Sequence, residues 1–203
     1  MAPRSRGTCY LCDKEFSKTT ILKHLATELG SSSGVQSAIL KIEGAYSKGH
    51  WLYVDMPLTD TLQSLDSYMR DIWLECCGHL SEFNFKGSYE EIPMTTKIRS
   101  LPAGTPLKHL YDFGSTTECL VTLCGTHYRD KEEIGVRTLA RNNPIEYKCC
   151  ECGEDADTIC LECDELYCSD CYEKHAEEVH DGDDDMNLPV CNSPRMGVCG
   201  YCG

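Results

Sequence analysis

The 203-residue chain is 41% hydrophobic and 26% charged, proportions that suit a folded protein and exclude a disordered tail. Its formal net charge of -14 excludes binding of phosphate backbones over the whole surface, because like charges repel. No apolar run approaches the ~20 residues of a spanning helix, and none follows the arginines of "MAPRSRGTCYLC", so the expected location is the cytoplasm.

In chain order, residues 7–28, "GTCYLCDKEFSKTTILKHLATE", form a first unit. Cys9-x2-Cys12 is expected on a tight turn, Phe16 and Ile21 in a miniature core, and His24 on a helix. This resembles the two-Cys/two-His finger, with His24 one residue closer than usual. The position of the fourth ligand holds Glu28, and a carboxylate can ligate zinc. Cys199, Cys202 or a water are the alternatives.

"GSSSG" at 30–34 reads as a linker. "VQSAILKIEGA" and "HWLYVDMP" read as two strands of a hairpin. Leu62, Leu65, Met69, Ile72 and Trp73 recur at helical steps, predicting an amphipathic helix of about four turns that Gly78 can end. Further strands are expected in 79–91, on both sides of Gly114 in 105–128, and around 134–149. Asp55, Asp60 and Asp66 are spaced like capping and surface residues. The order β-β-α-β-β-β predicts an α+β domain, a mostly antiparallel sheet with a packed helix.

The sixteen cysteines concentrate toward the end. Cys149-x2-Cys152, Cys160-x2-Cys163 and Cys168-x2-Cys171 are followed by His175 and His180. Pairs interleaved with histidines read as metal ligation rather than disulfides or thiol redox, which would leave the histidines unexplained. Eight ligands suffice for two tetrahedral zinc ions with no open position. Consecutive or alternate pairing of the ligands both satisfy the count. The spacing closely resembles the B-box zinc finger, and that resemblance implies the cross-brace. One site is then Cys149, Cys152, Cys168 and Cys171, the other Cys160, Cys163, His175 and His180. Cys150 is left free. Cys191, Cys199 and Cys202 read as a terminal strand with small residues.

Charge is unevenly placed. Residues 1–50 hold seven Lys/Arg against four Asp/Glu, and residues 151–203 hold two against fifteen. Nucleic acid is therefore to be met only through the N-terminal end, with Arg4, Arg6, Lys14, Lys18 and Lys23. A protein partner with a basic surface suits the acidic end. "YDFG" at 111–114 lacks the rest of a kinase, and Cys124 with His127 reads as structural rather than as nucleophile and base.

The core is similar to the Ri-plasmid open-reading-frame-three-like family. The matching residues are Trp51, Thr61, Leu62, His79, Leu80, Phe83, Gly104, Tyr111, Asp112, Phe113 and Gly114. The segment "LPVCNSPRMGVCGY" also resembles the family's C-terminal segment. Where many members continue with Asp, Trp and His, this chain has Ser115, Thr117 and Cys119, so roles tied to that Asp and His do not carry over. The resemblance implies an α+β fold and, for some members, a link to plasmids and mobile elements; it implies no reaction.

The expected organisation is a zinc-finger-like unit at 1–30, the α+β core at 35–147, a double zinc module at 148–185 and a tail at 186–203 that rejoins the core. The expected function is a non-enzymatic zinc-binding adaptor with two zinc ions in the C-terminal module and a third at the N-terminal finger. The alternatives are a nucleic-acid-binding protein and an enzyme built on an incompletely coordinated zinc.

Overall fold

The computed structural model describes residues 5–30, 33–130, 133–180, 182 and 187–203. Two compact units emerge. The first comprises residues 1–72 and 79–143, the second 73–78 and 144–203.

The first unit carries β1 (Arg6–Cys9), β2 (Glu15–Ser17), α1 (Ile21–Glu28), β3 (Val35–Gly44), β4 (Trp51–Pro57) and α2 (Leu62–Met69). It continues with β5 (Ser81–Phe85), β6 (Glu91–Ile92), β7 (Leu107–Tyr111), β8 (Thr117–Arg129) and β9 (Arg137–Asn142). The nine strands form one sheet in the order β2-β1-β9-β4-β3-β8-β7-β5-β6, every paired neighbour antiparallel. The α+β architecture expected from the sequence is therefore present.

β4 is buried along its whole length, which a strand covered on both faces requires. Trp51 and Tyr53 share one face with Cys9, Ile21, Leu25, Ile39, Leu139 and Ala140, so α1 lies on that side. The alternate residues Leu52, Val54 and Met56 are equally buried on the other side. Register carries that second face across to His109, through Leu52↔Ile42, Ile42↔Val121 and Val121↔Leu107. There α2 lies over the sheet: His109 Nε2 is 2.7 Å from Asp66 Oδ1, and Tyr68 and Thr138 bond through their hydroxyls.

Three sequence expectations change. The helix runs as α2 and then as a π-turn, Arg70–Leu74, instead of four regular turns. The N-terminal strands β1 and β2 form the edge of the large sheet through β1–β9 pairing, a contact between residues about 135 apart that no local pattern encodes. Asp55 and Asp66 are buried rather than on the surface, Asp55 among partners on neighbouring strands and Asp66 among Arg70, Ser81 and His109. Asp55 accepts from Arg137 at 2.9 and 3.0 Å, and sits 2.9 Å from His127 Nε2 and 3.4 Å from Arg129. Burial raises its pKa, and the hydrogen bonds of His127 and Arg137 with the arginine charges outweigh that and hold it below the usual carboxylate range.

The "YDFG" stretch is a turn between β7 and β8. Asp112 has φ 66°, and its Oδ1 accepts from the backbone N–H of Gly114 at 2.9 Å and Ser115 at 3.2 Å. Aspartate tolerates the left-handed region because its carboxylate satisfies neighbouring amides in this way.

The second unit contains β10 (Thr158–Cys160), β11 (Glu165–Tyr167), α3 (Ser169–Val179) and β12 (Asn187–Pro189). They form a three-stranded antiparallel sheet, β11-β10-β12, with α3 beside it. The C-terminal segment thus continues the small sheet through β12. It also holds the stretch from Trp73: Ser193 Oγ donates to the Trp73 carbonyl at 2.6 Å, and the Trp73 indole N–H donates to the Asn192 carbonyl at 3.1 Å.

Candidate metal centres

Three of the cysteine pairs fold as the same turn. Asp13 N–H donates to the Cys9 carbonyl at 2.8 Å, Gly153 N–H to Cys149 at 3.1 Å and Asp164 N–H to Cys160 at 2.9 Å. The residue that donates has φ 56°, 76° and 55° respectively. Glycine adopts that left-handed conformation freely and aspartate tolerates it. The chain thereby reverses tightly enough to aim both sulfurs at one point. The fourth pair is built differently. Cys168 is the N-cap of α3, Cys171 lies in its first turn, and Tyr172 N–H donates to the Cys168 carbonyl at 2.9 Å.

These turns assemble two four-ligand groups in the second unit. Within each, one ligand atom per residue lies within 4.8 Å of all the others. Cys149, Cys152, Cys168 and Cys171 form the first, with Cys152 and Cys168 sulfurs 3.6 Å apart. Cys160, Cys163, His175 and His180 form the second. There Cys160 Sγ is 3.4 Å from His180 Nε2, and Cys163 Sγ is 3.4 Å from His175 Nε2. The ligands alternate along the chain. α3 makes this possible, since Cys168 and Cys171 open it, His175 lies one turn on, and His180 closes it.

The donors fit zinc. Each set is complete at four, closed, and made of thiolate and imidazole. Without a cation, two thiols of the first group are pulled in opposite directions. The backbone N–H of Cys152, with those of Cys168 and Glu151, pulls the Cys149 thiol down to about 6. Cys171, hydrogen-bonded to Cys168 and Cys152, is pushed up. A divalent ion removes that conflict by compensating all four sulfurs. The histidines of the second group are oriented from behind: His180 Nδ1 is 2.7 Å from Glu162 Oε2, and His175 Nδ1 is 3.2 Å from the Tyr167 hydroxyl. Such partners fix the ring and present Nε2 to a metal. The cluster packed around the two groups is small: Cys149, Cys160, Tyr167, Tyr172 and Ala176 are its buried members.

In the first unit Cys9, Cys12 and His24 form a three-ligand group, with Cys12 Sγ 3.2 Å from His24 Nε2. The imidazole stacks on Phe16, ring centroids 4.0 Å apart. Glu28 does not join those three atoms. Its carboxylate is 3.8 Å from His24 Nδ1, the nitrogen turned away from Cys12, which is the position Glu162 takes at His180. Cys124 and His127 form no pair of nucleophile and base: the Cys124 thiol donates to the Thr122 carbonyl, burial pushes its pKa up, and His127 faces Asp55.

The sequence reading assigns no ligand role to Cys76 and Cys77. Their sulfurs lie within 4.8 Å of that of Cys199, in the second unit. The one local signal for them is the adjacency of two cysteines at the end of a helix.

No helix among the described residues is long and apolar enough to cross a membrane. Among curated proteins none matches the chain. Among solved structures it is similar to a protein of unknown function, MM3350 from Methanosarcina mazei Go1, with a TM-score of 0.45 and 14% identity over 54% of this chain and 70% of that one. Residues 149–183 match the ANCHR-like B-box zinc-binding domain, and the chain therefore carries a B-box zinc-binding module in that segment.

Proposed function

We propose that the protein is a non-enzymatic adaptor whose B-box is folded by two zinc ions and presents an acidic surface to a basic segment of a partner protein. The observation that carries this reading is the placement of charge. All eleven Asp and Glu side chains between Cys149 and His180 are exposed, around two ligand sets that leave no position for a substrate. In the same unit α3 lays Glu173, Glu177 and Glu178 along its outer side, against one lysine, Lys174. A nucleic-acid role for the N-terminal end is less well supported, since Arg6 pairs with Glu15 and Lys18 with Glu43. A third zinc at Cys9, Cys12 and His24 belongs to this proposal. So does the kinship of the core with the Ri-plasmid family, which adds no reaction.

The test is fluorescence anisotropy of a Lys/Arg-rich peptide and an acidic control peptide titrated with the zinc-loaded full chain at low and high salt. Binding of the basic peptide alone, weakened by salt and by about tenfold in the variant Glu173→Gln/Glu177→Gln/Glu178→Gln, is expected from three exposed charges worth about 0.5 kcal/mol each. Equal binding of both peptides, or none, would remove the reading.

A further inference from the structure

We propose that Cys76, Cys77 and Cys199 form a further zinc site, separate from the B-box and from the N-terminal group. The three belong to the same unit although the chain separates Cys77 from Cys199 by 122 residues. Their convergence is thus a product of the fold rather than of a local turn.

The distances suit a metal and not a disulfide. Cys77 and Cys199 sulfurs are 3.8 Å apart, well beyond the ~2.05 Å of a disulfide. Zinc–sulfur bonds of ~2.3 Å at a tetrahedral angle set sulfurs about 3.8 Å apart. The Cys152 and Cys168 sulfurs, inside the B-box, stand at a similar 3.6 Å.

The site is also held in place. Ser193 Oγ donates to the Trp73 carbonyl and accepts from the Arg195 N–H at 2.9 Å, which docks the turn before Cys199 onto the stretch that leads to Cys76. The Arg195 side chain is fully buried, and its guanidinium donates to Cys76 Sγ at 3.4 Å. That guanidinium donates to the sulfur as an outer-shell partner does and so fixes where the sulfur lies. Cys199 itself has φ 55°, a conformation uncommon for a residue with a Cβ and one that persists where the surroundings impose it. Three thiolates select a soft divalent ion, zinc before magnesium or calcium. They leave one tetrahedral position for water or one more donor.

Alkylation of the zinc-loaded full chain, followed by peptide mass mapping, reads the site without a mutation. Cys77 and Cys199 are exposed, as are Cys150 and Cys202, so accessibility does not distinguish the four. The expected result is prompt labelling of Cys150 and Cys202, protection of Cys76, Cys77 and Cys199, and loss of that protection on chelation. Native mass spectrometry adds the count: Cys77→Ser and Cys199→Ser each lose one zinc relative to the parent, and Cys202→Ser loses none. Unprotected Cys77 and Cys199 in the zinc-loaded parent, an unchanged zinc count in both variants, or recovery of a Cys77–Cys199 disulfide would each overturn the site. None of these outcomes bears on peptide binding by the B-box.

Discussion

His50 shows how much a single buried side chain can contribute to pH dependence. It is 2% exposed, and burial first, then the charge of Arg141, lowers its pKa to about 4. The unfolded chain, at about 6.5, binds a proton that the folded one refuses. Stability is therefore unaffected above pH 6.5, falls as pH drops from 6.5 to 4, and has lost about 3 kcal/mol at the lower end. His50→Gln should flatten that part of the curve, as measured by denaturant titration of parent and variant at pH 7 and pH 5. The subtraction isolates His50 from any metal release common to both. Gly7 makes the opposite kind of demand. A Cβ there would lie 2.2 Å from the Arg141 carbonyl oxygen and 2.5 Å from the Trp51 ring. Gly7→Ala is expected to cost about 2–3 kcal/mol through overpacking, seen as a lower thermal midpoint. An unchanged midpoint would show that β1 is not held against β9 as described.

At the level of the element, the cysteine turns were the most legible feature of the sequence. Each carries its own signal: a pair at C-x2-C followed at once by Asp13, Gly153 or Asp164, the residue types that accept a positive φ. The hairpin β3–β4 was legible for a similar reason, since its pattern and its turn are local. Asp55 and Asp66 were not, because His127, Arg137 and His109, on β8, β9 and β7, lie far from them in sequence. Cys76 and Cys77 were hidden for the same reason. The interlocked ligands of the B-box have a consequence for stability. β10 ends in Cys160 of the second group, while α3 carries ligands of both groups, Cys168 and Cys171 at its start and His175 and His180 toward its end. Cys160→Ser should release one zinc and also loosen the other, because the second group anchors the far end of the helix that opens in the first. Zinc stoichiometry with a competing chelator measures this; retention of the first zinc at parental affinity would show that the two groups are independent.

On the scale of the whole molecule, the two units rest on different forces. The first buries Ile39, Leu40, Ile42, Trp51, Leu52, Val54 and Met56 in a nine-stranded sheet. The second has a smaller buried cluster in which Cys149 and Cys160 pack with Tyr167, Tyr172 and Ala176. Each holds one of the two tryptophans, Trp51 and Trp73. Strong chelation is expected to shift Trp73 emission, read in Trp51→Phe, while the far-ultraviolet β signal of the sheet persists, because apolar burial and not metal supports it. Simultaneous loss of both signals would mean that the units do not stand independently.

The position of β9 between β1 and β4 sets an order of events. β1 has β2 and β9 as its sheet neighbours, so it has no place on the main sheet until residues 137–142 have paired with β4. Loop closure over that distance is slow compared with forming the β3–β4 hairpin. The start of the chain is thus expected to be the last part of the sheet to become protected during refolding. Pulse-labelling hydrogen exchange should find the amides of Gly7 and Thr8 gaining protection after those of β3 and β4.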